Sequence, residues 1–210
     1  RGPRFRLSAW MIRDQALAAS GLLIPELGGA PVFPWQPPGL WEEVTFGAGK
    51  KTYKADTGDK LRRRSLYTFW RRISAPPMFF DNAKREMCEV DAKLTNSPLH
   101  ALATLNDPLY AEAARALASR AWSEGESPGE ALAEAFEIAL TRPPSESEQE
   151  DLDTLFQVAL QDFQATPGDA ESFLAIGETP RNDKLDPATE AAMATVCLAI
   201  FNTDEVLNKE

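Results

Sequence analysis

The sequence is poor in the side chains that build reactive centres. It has one histidine and two cysteines in 210 residues. That excludes a zinc finger, an attached c-type haem (no C-x-x-C-H occurs) and a Ser-His-Asp site with a choice of histidines. No G-x-S-x-G elbow accompanies His100. No run approaches ~18 consecutive apolar residues, so no membrane-spanning helix is expected. No Asn-x-Ser/Thr acceptor exists, because Asn96-Ser97-Pro98 and Asn202-Thr203-Asp204 both fail the pattern. Period-2 strands and fixed-period repeats are missing too. Arg1 to Leu7 lack the charged start and apolar stretch of a signal peptide. The opening Arg-Gly-Pro-Arg-Phe-Arg runs straight towards a helix start, so the chain is expected to be the C-terminal portion of a longer protein.

What is present is acidic and globular. Hydrophobic residues make up 43% and charged residues 26%, close to globular averages. The formal charge of −10 is uneven: residues 1–100 carry +6 and residues 101–210 carry −16. The expectation is that the basic half packs against the acidic half or against a partner, with no nucleic acid bound, since an acidic total repels phosphate at long range. Lys60, Arg62, Arg63, Arg64, Arg71 and Arg72 surround Tyr67, Phe69 and Trp70. At helical spacing the aromatics face inward and the arginines stay solvated or pair with the acidic half.

Helix signals dominate the second half. Ser97-Pro98, Asp107-Pro108, Ser127-Pro128 and Asp186-Pro187 each put proline directly after an N-cap residue, where its missing N–H costs nothing. Ser127 with Glu130, and Ser145 with Glu148, have capping-box spacing. Apolar stripes follow: Ala131, Leu132, Ala135, Phe136, Ala139 and Leu140; then Leu152, Leu155, Phe156, Ala159, Leu160 and Phe163; then Met193, Val196, Cys197, Ile200 and Phe201. Such stripes must bury against one another. In the first half, Ser8 caps a helix over Ala9–Ser20 that stops at Gly21. Residues 24–40 are rich in proline and glycine and read as an irregular loop pinned by Phe33 and Trp35. Leu61–Arg72 reads as a helix with Leu66, Phe69 and Trp70 on one side. The fold class is therefore all-α: an irregular helical bundle with long Pro/Gly-rich loops in the first half. Residues 1–210 form one domain, with a loop-rich basic part at 1–95 and an acidic bundle at 96–210.

Few residues offer chemistry. Gly47-Ala48-Gly49-Lys50-Lys51-Thr52 fails as a phosphate loop, since Val44 and Lys51 stand where glycine and Ser/Thr are needed. Asp56, Asp59 and Asp81 match no EF-hand spacing, and no metal site is expected. Cys197 sits on an apolar stripe and reads as a free buried thiol rather than a partner for Cys88. The unusual segment is Ser65 to Asp107. Its polar residues beside helix caps satisfy backbone N–H groups, so no catalytic residue is assigned. A ligand pocket there would be held by Asp81, Arg85, Asn96, His100 and Asp107, of which Arg85, Asn96 and Asp107 suit an anionic or polyol ligand.

Taken together, YTFWRR…PPMFFDNAKREMC…TNSPLHALATLNDP resembles the pattern Y-x-x-W-x-R, P-P-x-M, F-D-x-x-x-R-E-x-C, T-N-T-P-L-Q-A-L, L-N-D-P. That pattern belongs to the planctomycete-specific, cytochrome-associated domain of unknown function, the fifteen-fifty-three family, and the likeness is to the C-terminal part of the domain. The opening RLSAWMIRDQALAASG is similar to its R-L-x-A-E-x-x-R-D-x-x-L-A-x-S-G, and LAIFNTDEVLNKE to its closing L-x-N-x-D-E-F-x-x-R-E. His100 and Ser97 depart from the usual glutamine and threonine, and Asp91 and Leu94 stand where the family tends to have arginines. The resemblance implies an exported, periplasmic or cell-surface protein. It also implies a c-type cytochrome module, with its haem c, elsewhere in the parent protein; no cofactor is expected in this chain. The expected partner is the upstream part of the same protein or a partner chain such as that cytochrome module. The expected role is a non-catalytic interaction or scaffold module. The rival is part of a carbohydrate-active or redox enzyme with a polar cleft between Asp81 and Asp107.

Overall fold

The computed structural model describes residues 4–41, 53–69, 79, 94, 97–122 and 127–209. The helices are α1 (Ala9–Ala19), α2 (Pro98–Asn106), α3 (Pro108–Trp122), α4 (Pro128–Leu140), α5 (Glu146–Ala165), α6 (Pro167–Leu174), α7 (Pro187–Phe201) and α8 (Asp204–Leu207). A two-residue strand β1 (Phe5–Arg6) pairs antiparallel with β2 (Asn208–Lys209), Phe5 facing Lys209. The architecture is the irregular all-α bundle that the apolar spacing predicts.

Helix starts follow the capping signals closely. Pro98, Pro108, Pro128 and Pro187 each open a helix, and Thr166-Pro167 adds a fifth case that sequence reading passed over. Ser145 and Glu148 form a reciprocal capping box, and the Ser127 side chain accepts from the Glu130 N–H. Arg142 then bonds Glu148 at 2.7 Å and Glu205 at 2.6 Å, fastening the start of α5 to α8.

The centre of the bundle is α7. It packs on α3, α4, α5 and α6, and its buried residues run right round the helix, including Met193, Val196, Cys197 and Ile200. A helix apolar on all sides belongs in the interior. On α3 the buried positions are largely alanine (Ala113, Ala114, Ala118, Ala121), and α7 contributes Ala191, Ala192 and Ala194. Small side chains let two helix axes approach closely, so this seam sets the spacing of the core.

The first half differs from expectation at two places. Residues 61–69 are not an α-helix. They form two 3-10 turns, Gly58–Arg62 and Ser65–Tyr67, with extended backbone between. The N–H groups of Arg63, Tyr67 and Thr68 close 3-10 turns, and other backbone groups of the stretch bond the neighbouring loop. Ile24 N–H donates to the Arg62 carbonyl (3.0 Å), Val32 N–H to that of Tyr67 (2.8 Å) and Phe69 N–H to that of Val32 (2.7 Å). An N–H committed in this way, as that of Phe69 is, has no second hydrogen for a regular helix. Leu66 consequently faces solvent at 76% exposure; residues 70–72 lie outside the described residues. Secondly, Phe33 does anchor the 24–40 loop, meeting Phe69 at 4.7 Å and Tyr53 at 6.0 Å between ring centroids. Trp35 does not: it is exposed and lines a cleft. Trp41, stacked on Tyr53 at 5.0 Å, takes its place.

The alanine seam has no room for larger side chains. Ala118→Leu is expected to cost about 1–3 kcal/mol by overpacking, read as a lower urea midpoint with an unchanged slope.

Candidate functional site

The polar heart of the molecule is Arg13 on α1. It shares the inward stripe of Ala9, Ile12, Ala16 and Leu17 and is 1% exposed. Its guanidinium donates to the Leu61 carbonyl at 2.6 Å, the Arg63 carbonyl at 2.9 Å and Ser65 Oγ at 3.1 Å. Asp14 completes the joint by accepting from the Ser65 N–H (2.8 Å) and hydroxyl (2.6 Å). The pair therefore holds the 61–65 turn against α1. Burial pulls the Arg13 pKa down, against the charges of Asp14, Tyr110 and Asp107.

Asp107 faces the same charge. It caps α3, its Oδ1 accepting from the Leu109 N–H at 2.9 Å. Its Oδ2 and the Tyr110 hydroxyl, both buried, have no hydrogen-bond partner among the described residues. Burial pushes the Asp107 carboxyl up to about 6, although the Leu109 N–H and Arg13 act the other way. The Tyr110 hydroxyl is also raised, by burial first and by Asp107 next.

One turn further along α3, Glu112 clasps a second loop. Its Oε1 accepts from Arg62 (2.7 Å), from the N–H of Glu178 (3.0 Å) and from the N–H and hydroxyl of Thr179 (2.8 and 2.7 Å). Burial opposes the charge on Glu112, but the bonds from Thr179, Arg62 and the Glu178 N–H outweigh it and keep the carboxyl below its ordinary range. Arg115 adds bonds to the carbonyls of Ile176 (2.5 Å) and Thr179 (3.1 Å). The turn between them needs Gly177, whose φ is +82° and whose added Cβ would lie 2.7 Å from the Glu112 side chain. Beside the clasp opens a cleft of about 440 Å³, walled by Trp35, Leu61, Leu109 and Ile176.

Of the five sequence-predicted ligand residues, Asp81, Arg85 and Asn96 lie outside the described residues, as do Cys88 and the 47–52 loop. His100 is buried early in α2, where Thr104 donates to its carbonyl at 3.1 Å and also bonds Asn202. Asp107 ends the same helix, about 10 Å further along its axis at 1.5 Å per residue. Two described members of the basic cluster, Arg62 and Arg63, are engaged internally, while Arg71 and Arg72 lie outside the described residues. Arg62 bonds Glu112 across the two halves. Arg63 donates to the carbonyls of Ala30, Glu26 and Gly28 and lies 4.1 Å over the Tyr67 ring. Asp56 accepts from the Phe33 N–H, and Asp59 lies near Arg62. Among the described residues no group of His, Cys, Asp and Glu is placed to hold a metal ion. Cys197 is a free, buried thiol, as expected. No described helix is long and apolar enough to cross a membrane.

Sequence reading missed Arg13, Glu112 and Glu190. Arg13 carried a usable signal, a charge on the apolar stripe of a predicted helix. Glu190 is 1% exposed and accepts from Arg181 Nε and the Asn182 N–H, both at 3.1 Å. Its sequence position in the first turn of α7 resembles an ordinary solvated acid.

Arg13-Asp14 falls inside the opening motif and Asp107-Pro108 inside the Leu-Asn-Asp-Pro motif, so both motifs meet at this buried joint. The chain belongs to the family described as PSD1, Protein of unknown function (DUF1553), whose model matches residues 1–156. The matched stretch ends within α5, so the closing motif in α7 and α8 lies beyond it. No curated protein and no solved structure matches the chain.

Two measurements check this account. Gly177→Ala is expected to destabilise by about 1–3 kcal/mol through left-handed strain and collision with Glu112, seen in urea unfolding. Asp107 has a folded pKa above its usual 3.8. Its stabilising contribution is therefore full below that value and lost as pH rises through about 6. Asp107→Asn keeps the cap, so wild-type stability relative to the variant should fall by roughly 3 kcal/mol between acid and neutral pH. A pH-independent difference would contradict this.

Proposed function

We propose that the chain is a non-catalytic interaction and scaffold module of an exported multidomain bacterial protein linked to a c-type cytochrome. Residues 1–95 and 96–210 act in it as one unit. It docks on the upstream part of the same polypeptide, or on a partner chain such as the cytochrome module, which brings its own haem c. The observation that carries this reading is an apolar row on α2: Leu99, Leu102 and Leu105 stand 72%, 57% and 44% exposed at helical spacing. A second exposed group, Trp10, Met11 and Leu66, lies in the first half. Clusters of exposed large apolar residues mark surfaces that meet other proteins. Export and the cytochrome rest on the family resemblance.

A second reading is an enzyme acting on carbohydrate, or a redox enzyme, with Asp81, Arg85, Asn96, His100 and Asp107 in one cleft. What favours it is the unpartnered Oδ2 of Asp107 on a carboxyl poised near 6, a value suited to a general acid.

Leu102→Glu is expected to leave stability within about 0.5 kcal/mol and to abolish the complex with the upstream polypeptide in calorimetric titration. Undiminished binding would sink the docking surface. Turnover of a glycoside or redox dye by the unaltered chain, lost in Asp107→Asn with folding intact, would replace the scaffold reading by the second.

A further inference from the structure

We propose that the cleft beside Glu112 binds a small organic cation, an ammonium group carried on an apolar body. This goes beyond the scaffold reading and does not depend on it. The cleft, about 440 Å³, lies between the 34–35 and 55–61 segments, the start of α3 and the 176–178 turn. That volume suits a small molecule, and most of its wall is apolar, as ligand pockets usually are. Among the described residues its charged lining has a single sign: Asp56, Glu112 and Glu178, with no lysine or arginine.

The nearby cations are already engaged outside the lining. Arg62 is held by Glu112, Thr179 and Asp59. Arg115 bonds two carbonyls of the 176–179 turn, and Lys60 reaches Asp56 only at 3.4 Å. Asp56 accepts from the Phe33 N–H and from Lys60, but the other two carboxylates each keep one oxygen free of donors among the described residues. All the hydrogen bonds to Glu112 fall on Oε1, leaving Oε2 without a donor among the described residues, although the residue is only 7% exposed. The bonds described above keep this carboxylate ionised. Glu178 Oε2 accepts from the Gly58 N–H at 2.5 Å, and its Oε1 has no donor among the described residues.

Trp35, 39% exposed, lines the same cleft, and an indole ring attracts a cation. A calcium ion would need six or more oxygen ligands, which walls of proline, leucine, isoleucine and tryptophan do not provide. An ammonium on an apolar stem meets both kinds of wall: its charge faces the free carboxylate oxygens and its body covers Trp35, Leu109 and Ile176.

The test is titration of the full chain, at low salt, with 2-phenylethylamine, 2-phenylethanol and 3-phenylpropionate, followed by NMR of the tryptophan indoles. The amine is expected to bind at least about tenfold more tightly than the carboxylate, with the alcohol between, and to shift the Trp35 signal. Trp35→Ala should weaken the amine roughly fivefold. Glu178→Gln, an exposed change that keeps an acceptor for the Gly58 N–H, should weaken it about threefold. Equal binding of all three probes, no saturable binding, or full amine affinity in Trp35→Ala would overturn the proposal. Should either variant fail to fold by circular dichroism, the order of the three probes on the unaltered chain decides. Failure here leaves the docking surface on α2 untouched, because none of these residues belongs to it.

Discussion

Each donor of a guanidinium sealed inside a protein costs free energy if left unmet, and the first half of this chain is arranged to meet those of the two terminal nitrogens of Arg13, while Nε has no partner among the described residues. Isolated loops rich in proline and glycine have no periodic hydrogen bonding to hold them. Here the 61–65 turn gives up two carbonyls and a hydroxyl to one side chain on α1. That turn pairs with the 24–32 loop through Ile24 and Arg63, and the residues just after it do so through Val32 and Thr68. Removing Asp14, whose carboxylate lies 3.4 Å from the guanidinium, would leave a buried charge uncompensated, which is among the most costly changes a protein can suffer. The loops are thus ordered from a helix outward.

The same device recurs in opposite sign at Glu112, where an anion gathers the 176–179 turn and the Arg62 side chain. The two joints sit on either side of Asp107 and Tyr110 at the start of α3. The charge imbalance between the halves is partly resolved here, since Arg62 of the basic half meets Glu112 of the acidic half. The price is a carboxyl at Asp107 whose second oxygen has no donor within the described chain.

Much of the second half was legible because its signals are local. A proline after a serine or aspartate fixes a helix start through covalent geometry, and a three-four apolar spacing fixes which face turns inward. The failure at 61–69 has the opposite cause. Leu66, Tyr67 and Phe69 have helical spacing, but partners some 35–40 residues earlier, Ile24 and Val32, claim the backbone first. Long-range competition of that kind leaves no mark on a short window of sequence. The candidate pocket was legible only in part: Asp107 was singled out for its cap, yet nothing near it in sequence announces Arg13. Glu112 stands amid alanines and resembles any solvated acid of a helix.

Cys197 is fully buried at the centre of α7, and burial pushes its thiol up to about 12. Only the thiolate reacts readily with alkylating reagents, and the surrounding helices keep reagent out. Each modification event therefore requires α7 to leave its neighbours. The pace of alkylation in native buffer thus becomes a clock for rare openings of the bundle, ticking once for every excursion slow enough to be caught.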